Sequence, residues 1–420
     1  MFRRIFPVLL IGLLVGIAGV AAEKVAVRVS GWVSSPVESE IMQTLVDLYN
    51  SQFAPPGVEA VYEPIPADYP TKIQTMLAAR KAPDVFYWDI FMAEPLMRKG
   101  ALLPLDDLMA AAGVDPAEFV NTCIGAFTYG GKIYGIPKDF NTLALFYNKR
   151  IFDIAGVPYP TDDWTWEDLL AAAEAIQAKA DEIRKAVPNF QAALCMAPDV
   201  ARWLPFVFQN GGSFFNADRT AVVINSPEAV EALEFYTGFE LEHGVAVRPS
   251  EIGAGWQGEA FGKENAAMVM EGGWMVPFLT SNFPDVEFGA VELPAGPAGK
   301  GNLLFTVAYV IPAYEKHPAE AFDVLKFLTS PLAQMYVLSR GFALPTRKAL
   351  GGFITDPISR TIFAGAAYAR PWEFGPLGSK PIDELSAAME AVFLGKKTAQ
   401  EALDDAAKVL NERLKEVLSG

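Results

Sequence analysis

Strand-like and helix-like stretches alternate along almost the whole chain, with no linker between them. Val25, Val27 and Val29 alternate with other residues, as on a half-buried strand. Ile41, Leu45, Leu48 and Tyr49 then share one helical face. Residues 58–62 read as a second strand, 73–80 as a second helix and 84–88 as a short buried strand. Residues 143–147, 266–270, 286–291 and 303–311 extend the strand series, with Phe146 and Tyr147 adding β preference. Helix starts are marked by capping chemistry. Thr165 with Asp168, and Thr398 with Glu401, approximate capping boxes. Ser226-Pro227-Glu228 places a cap and a first-turn proline before Val230, Leu233 and Tyr236, and Pro318 opens the stretch carrying Phe322, Leu325 and Leu328. The alternation predicts an α/β fold with largely parallel sheets.

The chain has 420 residues, 51% of them hydrophobic. That is too long for one ordinary core, so two lobes or more are expected. No repeat of fixed period and no low-complexity linker appears, which implies that the chain crosses between lobes several times. The formal net charge of −16 argues against nucleic acid as a partner, because phosphate neutralisation needs a basic face. It disfavours an anionic membrane surface for the same reason.

Arg3 and Arg4 precede an apolar run over 7–22, which Glu23 and Lys24 end. A basic start, a short apolar stretch and small residues at Val20 and Ala22 read as a signal peptide over 1–22, cut after Ala22. Removing Arg3 and Arg4 would take the mature chain to −18. A periplasmic or extracellular location and a monomer are expected. Export permits a disulfide between Cys123 and Cys195, but two buried free thiols are the better reading of an isolated pair.

Enzyme signatures are sparse. There is no GxSxG elbow, no HExxH and no Walker A loop. With two histidines and no CxxC, no zinc pattern can be assembled, and neither cofactor nor metal is expected. Gly253, Gly255 and Gly258 spell GxGxxG, but Arg248-Pro249-Ser250-Glu251 precedes them where a dinucleotide site needs an apolar strand. That run reads as a surface loop.

The tryptophans are more informative. Trp32 and Trp88 stand at predicted carboxyl ends of strands, Trp274 follows the strand at 266–270, and Trp372 sits in a Pro-rich loop beside Arg370. Ligands of open α/β sheets bind beyond the carboxyl ends of strands. An indole there can stack on the C–H face of a sugar while Asp, Asn and Arg bond its hydroxyls. Asp89 adjoins Trp88, and Asp139 and Asn141 flank Phe140. Trp203 and Trp256 are further candidates, whereas Trp164 and Trp166 belong to a helix start.

Several short stretches belong together: Lys132-Ile133-Tyr134-Gly135-Ile136-Pro137, Leu145-Phe146-Tyr147-Asn148-Lys149 and Trp164-Thr165-Trp166-Glu167-Asp168-Leu169. Gln209-Asn210-Gly211-Gly212, Asn225-Ser226-Pro227-Glu228, Ala266-Ala267-Met268 with Gly272-Gly273-Trp274, and Leu344-Pro345-Thr346-Arg347 follow. In this order they resemble the extracellular solute-binding proteins of ABC sugar importers, the group of the maltose- and glycerol-3-phosphate-binding proteins. The lipobox cysteine of many Gram-positive members is missing, which favours a soluble form. The resemblance implies a two-lobed periplasmic-binding-protein fold whose hinge is crossed about three times. The lobes would be 23–138 plus 308–345 and 139–307 plus 346–420. It implies a sugar held between Trp32, Trp88 and Asp89 on one lobe and Trp203, Trp256, Gly273, Trp274, Arg370 and Trp372 on the other. Asp139, Asn141 and Tyr309 would sit near the crossing strands, and a membrane permease would be the partner. The same clamp on a glycerol phosphate ester, a secreted two-carboxylate carbohydrate-active enzyme, and a surface adhesin are the alternatives.

Overall fold

The computed structural model describes residues 24–33 and 36–419, so the expected leader lies outside the described residues. Twelve strands occur among them. They are β1 (Val25–Ser30), β2 (Val58–Tyr62), β3 (Val85–Asp89), β4 (Thr128–Tyr129), β5 (Lys132–Ile133), β6 (Gly135–Asn148), β7 (Ala192–Cys195), β8 (Ala246–Val247), β9 (Ala266–Gly272), β10 (Phe288–Val291), β11 (Asn302–Val310) and β12 (Ala369–Pro371). Ten of these form one curled sheet in the order β2-β1-β3-β11-β6-β9-β7-β8, with β10 on β6 and β12 on β11. The β4–β5 hairpin stands apart.

The pairing corrects the expectation of largely parallel sheets. β1 runs parallel to β2 and β3, and β7 to β8 and β9. The two longest strands run antiparallel to most of their neighbours: β11 to β3 and β6, and β6 to β9 and β10, with only the short β12 parallel to β11. Parallel pairs need a helical crossover on the same sheet. β6 and β11 instead carry the chain from one end of the curled sheet to the other in opposite directions.

β6 is the spine of the molecule. Its first half pairs with β11 from Gly135 to Thr142, and its second half pairs with β9 from Leu143 onward. Asn302 stitches the point where the β11 pairing ends. Its fully buried amide accepts the Leu143 N–H at 3.1 Å and donates to the Leu143 carbonyl at 2.8 Å, taking the place of a strand backbone. On the outer edge, the Pro137 carbonyl accepts from Thr346 at 2.7 Å. A proline without an N–H is tolerated at such an edge.

The expected helix caps are present. Thr165 and Asp168 close a reciprocal capping box, and Ser226 accepts from the Ala229 N–H. Cys123 and Cys195 are both free and buried. Gly253 ends a short turn over Pro249–Ile252, and Gly258 falls inside the helix Gln257–Gly262 rather than in a loop. No helix of the described residues is long and apolar enough to cross a membrane.

Candidate functional site

Register places the polar candidates in a row. Asp89 of β3 and Asp139 of β6 both pair with Val307 of β11, and Asn141 pairs with Phe305. Cross-strand partners share a face, and so do residues two apart, so these five residues lie on one side of the sheet. A bulge shifts the β6 register between Val307 and Ala308 and leaves Lys138 as the extra residue. Consecutive strand residues ordinarily face opposite ways, but a bulge re-aims one of them. The Lys138 ammonium accordingly pairs with the neighbouring Asp139 carboxylate. It also lies 3.8 Å from Glu38 and 4.5 Å from the ring centre of Tyr87.

Burial governs the ionisation of this cluster. Asp89 is pushed up to about 7 by desolvation; the backbone N–H groups of Phe91 and Ile90 hold it back and Asp139 adds to the rise. Burial also raises Asp139, against the opposing pull of Lys138. Burial by itself would lower Lys138, but Asp139 and Glu38 outweigh it and keep the ammonium charged.

Beside this row runs an aromatic wall. Trp274 meets Phe305 edge-on at 5.5 Å, Phe305 meets Trp372 at 6.0 Å, and Trp372 meets Phe91 at 6.4 Å. The wall thus joins the turn after β9, the middle of β11, the loop after β12 and the turn after β3. Trp274 is held closely. Its indole N–H donates to Glu271 at 2.8 Å, and a Cβ on Gly272 would come within 2.3 Å of the ring. A Cβ on Gly273 would sit 2.5 Å from the Asn141 side-chain oxygen, so a side chain there would displace the amide. Asn141 and Gly273 line a cavity of about 120 Å³ together with Phe342, Leu344 and Asp356.

The remaining candidates are dispersed. Trp32 is half-buried and packs edge-on against Tyr69 and Tyr87, beneath the Lys138 cluster. Trp256 packs on Phe278 at 4.8 Å. The Arg370 guanidinium is engaged by the Gly212 carbonyl and Ser213 hydroxyl, over the ring of Phe208. Four candidates lie in the core, counting the wall's own Trp372, which is 7% exposed. Trp88 falls on the face of β3 opposite Asp89 and donates to the Met92 carbonyl at 2.8 Å. Trp203 is fully buried in the helix Val200–Gln209, its indole N–H without a partner among the described residues. Tyr309 is covered by the helix Pro36–Leu48, its hydroxyl 3.2 Å from the Met42 sulfur. Sequence reasoning did not single out Phe91, Phe305, Lys138, Glu38 or Glu271. Phe305 had a signal, since it alternates in phase with Val307 and Tyr309 along a strand. Lys138 had a weaker one, a charged pair directly after a strand proline.

Among the described residues no group of His, Cys, Asp and Glu is arranged to hold a metal. The arrangement offers ring faces, a carboxamide and carboxylates, which suit a polyhydroxylated solute.

The family described as bacterial extracellular solute-binding protein matches residues 35–335. A binding protein of Brucella abortus is 25% identical over 378 residues, covering 86% of this chain and 87% of its own length. The arabinooligosaccharide-binding protein of Bacillus subtilis is 24% identical over 337 residues, 77% of this chain and 75% of its own. An ABC substrate-binding protein of Listeria monocytogenes, solved in complex with cycloalternan, superimposes with a TM-score of 0.82 at 25% identity, covering 94% of this chain and all of its own. The two-lobed α/β fold expected from the sequence is therefore the one observed, and the chain belongs to the family of bacterial extracellular solute-binding proteins.

Proposed function

We propose that this protein captures a mono- or oligosaccharide and delivers it to the membrane permease of an ABC importer. The observation that carries the reading is the wall Trp274–Phe305–Trp372–Phe91 standing beside Asp89, Asp139 and Asn141. The half-buried rings of Trp274, Phe305 and Phe91, with buried Trp372 behind them and carboxylates beside them, are the complement of a sugar's C–H face and its hydroxyl rim. The sugars named for the Bacillus relative and the Listeria neighbour support the same class.

The lobes would be 23–138 plus 308–345 and 139–307 plus 346–420, and the site would lie between them, where ligand pockets commonly form. A sugar touching both lobes binds the closed form better and so shifts the hinge equilibrium toward it. The protein would act as a monomer outside the cytoplasmic membrane after loss of its leader, and would release the sugar chemically unchanged. A phosphate ester is the poorer fit. Lys138 and Arg202 are already paired with buried carboxylates, and Arg370 is engaged by the Gly212 carbonyl and the Ser213 hydroxyl.

The test is a thermal-shift panel on mature protein, unfolded and refolded to strip bound ligand. It should contain mono-, di- and oligosaccharides, glycerol-3-phosphate and a polyamine. One sugar class should raise the melting temperature and be recovered intact. A shift with glycerol-3-phosphate alone would overturn the sugar assignment, and a cleaved sugar would overturn the binding-only reading.

A further inference from the structure

Behind the Trp274 indole lies a buried ionic relay that the stacking geometry by itself does not require. Glu271, the residue before Gly272 ends β9, is 1% exposed. One of its oxygens accepts the indole N–H of Trp274 at 2.8 Å and also pairs with the Arg202 guanidinium. Arg202 stands in the first turn of the helix Val200–Gln209 and pairs at 3.1 Å with Asp199, the residue that caps the same helix. The guanidinium carbon lies 5.7 Å from the centre of the Trp274 ring. The indole is therefore constrained by its N–H, by Arg202 and by the edge contact to Phe305, and it fills the space a side chain at Gly272 would need.

Buried ion pairs seldom add net stability over well-packed apolar residues, because desolvation offsets the attraction. Their best use is to fix one arrangement among several. Here the arrangement fixed is the plane of the one ring in the wall that has its own carboxylate acceptor. We infer that Glu271, backed by Arg202, is a positioning residue that sets the Trp274 indole at the angle needed to stack on ligand. This inference rests on the sugar-binding reading and adds to it a specific cause of affinity that touches no ligand atom.

A double-mutant cycle tests it. The probe is whichever of maltotriose, arabinotriose or cycloalternan most raises the melting temperature of the wild type, and affinity is read by calorimetry. Trp274→Ala is expected to weaken binding more than tenfold. Glu271→Leu should weaken it by about tenfold, the loss of one charge-assisted hydrogen bond. In the Trp274→Ala background, Glu271→Leu should cost nothing further, whereas a residue that merely supports the fold would impose the same loss in both backgrounds. If Glu271→Leu does not fold, Glu271→Gln takes its place, with a smaller loss that again vanishes without Trp274. Additive losses would overturn the positioning role and leave the site standing. Unchanged affinity in Trp274→Ala, or no shift with any of the three sugars, would instead overturn the site reading on which the inference depends.

Discussion

A tryptophan in a sequence is both the largest apolar side chain and the best stacking face, and only its accessible surface tells the two apart. Trp274 and Trp88 show the difference. Each lies at the end of a predicted strand, yet Trp274 belongs to the wall and Trp88 turns to the opposite face of β3 and fills the core. Asp139 and Asn141 stood out in the sequence only as polar residues flanking Phe140, outside the stretch that read as strand. The role of Lys138 was not legible, because a bulge has no reliable mark in sequence. Asp89 carries a prediction at this scale. A carboxyl whose folded pKa lies above its unfolded value holds its proton more tightly in the native state. Folding therefore loses stability as pH rises from about 4, the ordinary aspartate value, through 7, and the loss is complete above that. Asp89→Asn removes the effect. In ligand-free protein, the melting temperature of the variant relative to wild type should climb between pH 4 and pH 7 and then level off. A difference that stays flat across that range would contradict the burial of this carboxyl. For ligand, Asp139→Asn should weaken sugar binding more than tenfold in a calorimetric titration.

Helix starts were the most readable elements, because a capping residue acts within one turn and needs no tertiary partner. The box at Thr165 and Asp168 formed as expected. The least readable element was β6. Only residues 143–147 announced themselves as strand, whereas Gly135, Pro137, Lys138, Asp139 and Asn141 are all poor strand formers. Pairing with β11 imposes the extended conformation on them, a tertiary effect that overrides local preference. Asn302 is the element-scale device that continues the β11 side of β6 one residue beyond the last backbone pair, and it supports a further prediction. Asn302→Ala would leave the Leu143 N–H and carbonyl buried without those partners. The expected destabilisation is about 3 kcal/mol, read as a lower urea midpoint with an unchanged slope. A loss below about 0.5 kcal/mol, within the range of an ordinary surface substitution, would mean that the amide is not replacing backbone pairing.

At the scale of the whole molecule, the proposed clamp predicts that ligand changes both stability and shape. A sugar at 100 times its dissociation constant should stabilise the protein by about 2.7 kcal/mol. Small-angle scattering should show a smaller radius of gyration on saturation, and an unchanged radius would contradict closure around ligand. Reducing agent should leave the melting temperature unchanged, since Cys123 and Cys195 are free. The sequence by itself determined the α/β class, the helix starts, most strand positions and the family, because hydrophobic periodicity, caps and short motifs are local and survive without knowledge of partners. Tertiary structure alone decided which tryptophans form the wall, how Lys138 turns toward Asp139, and why β6 and β11 run antiparallel at the centre of the sheet. Those outcomes depend on register, a bulge and the pairing of strands more than 150 residues apart, such as Asn302 with Leu143, and no local pattern encodes them.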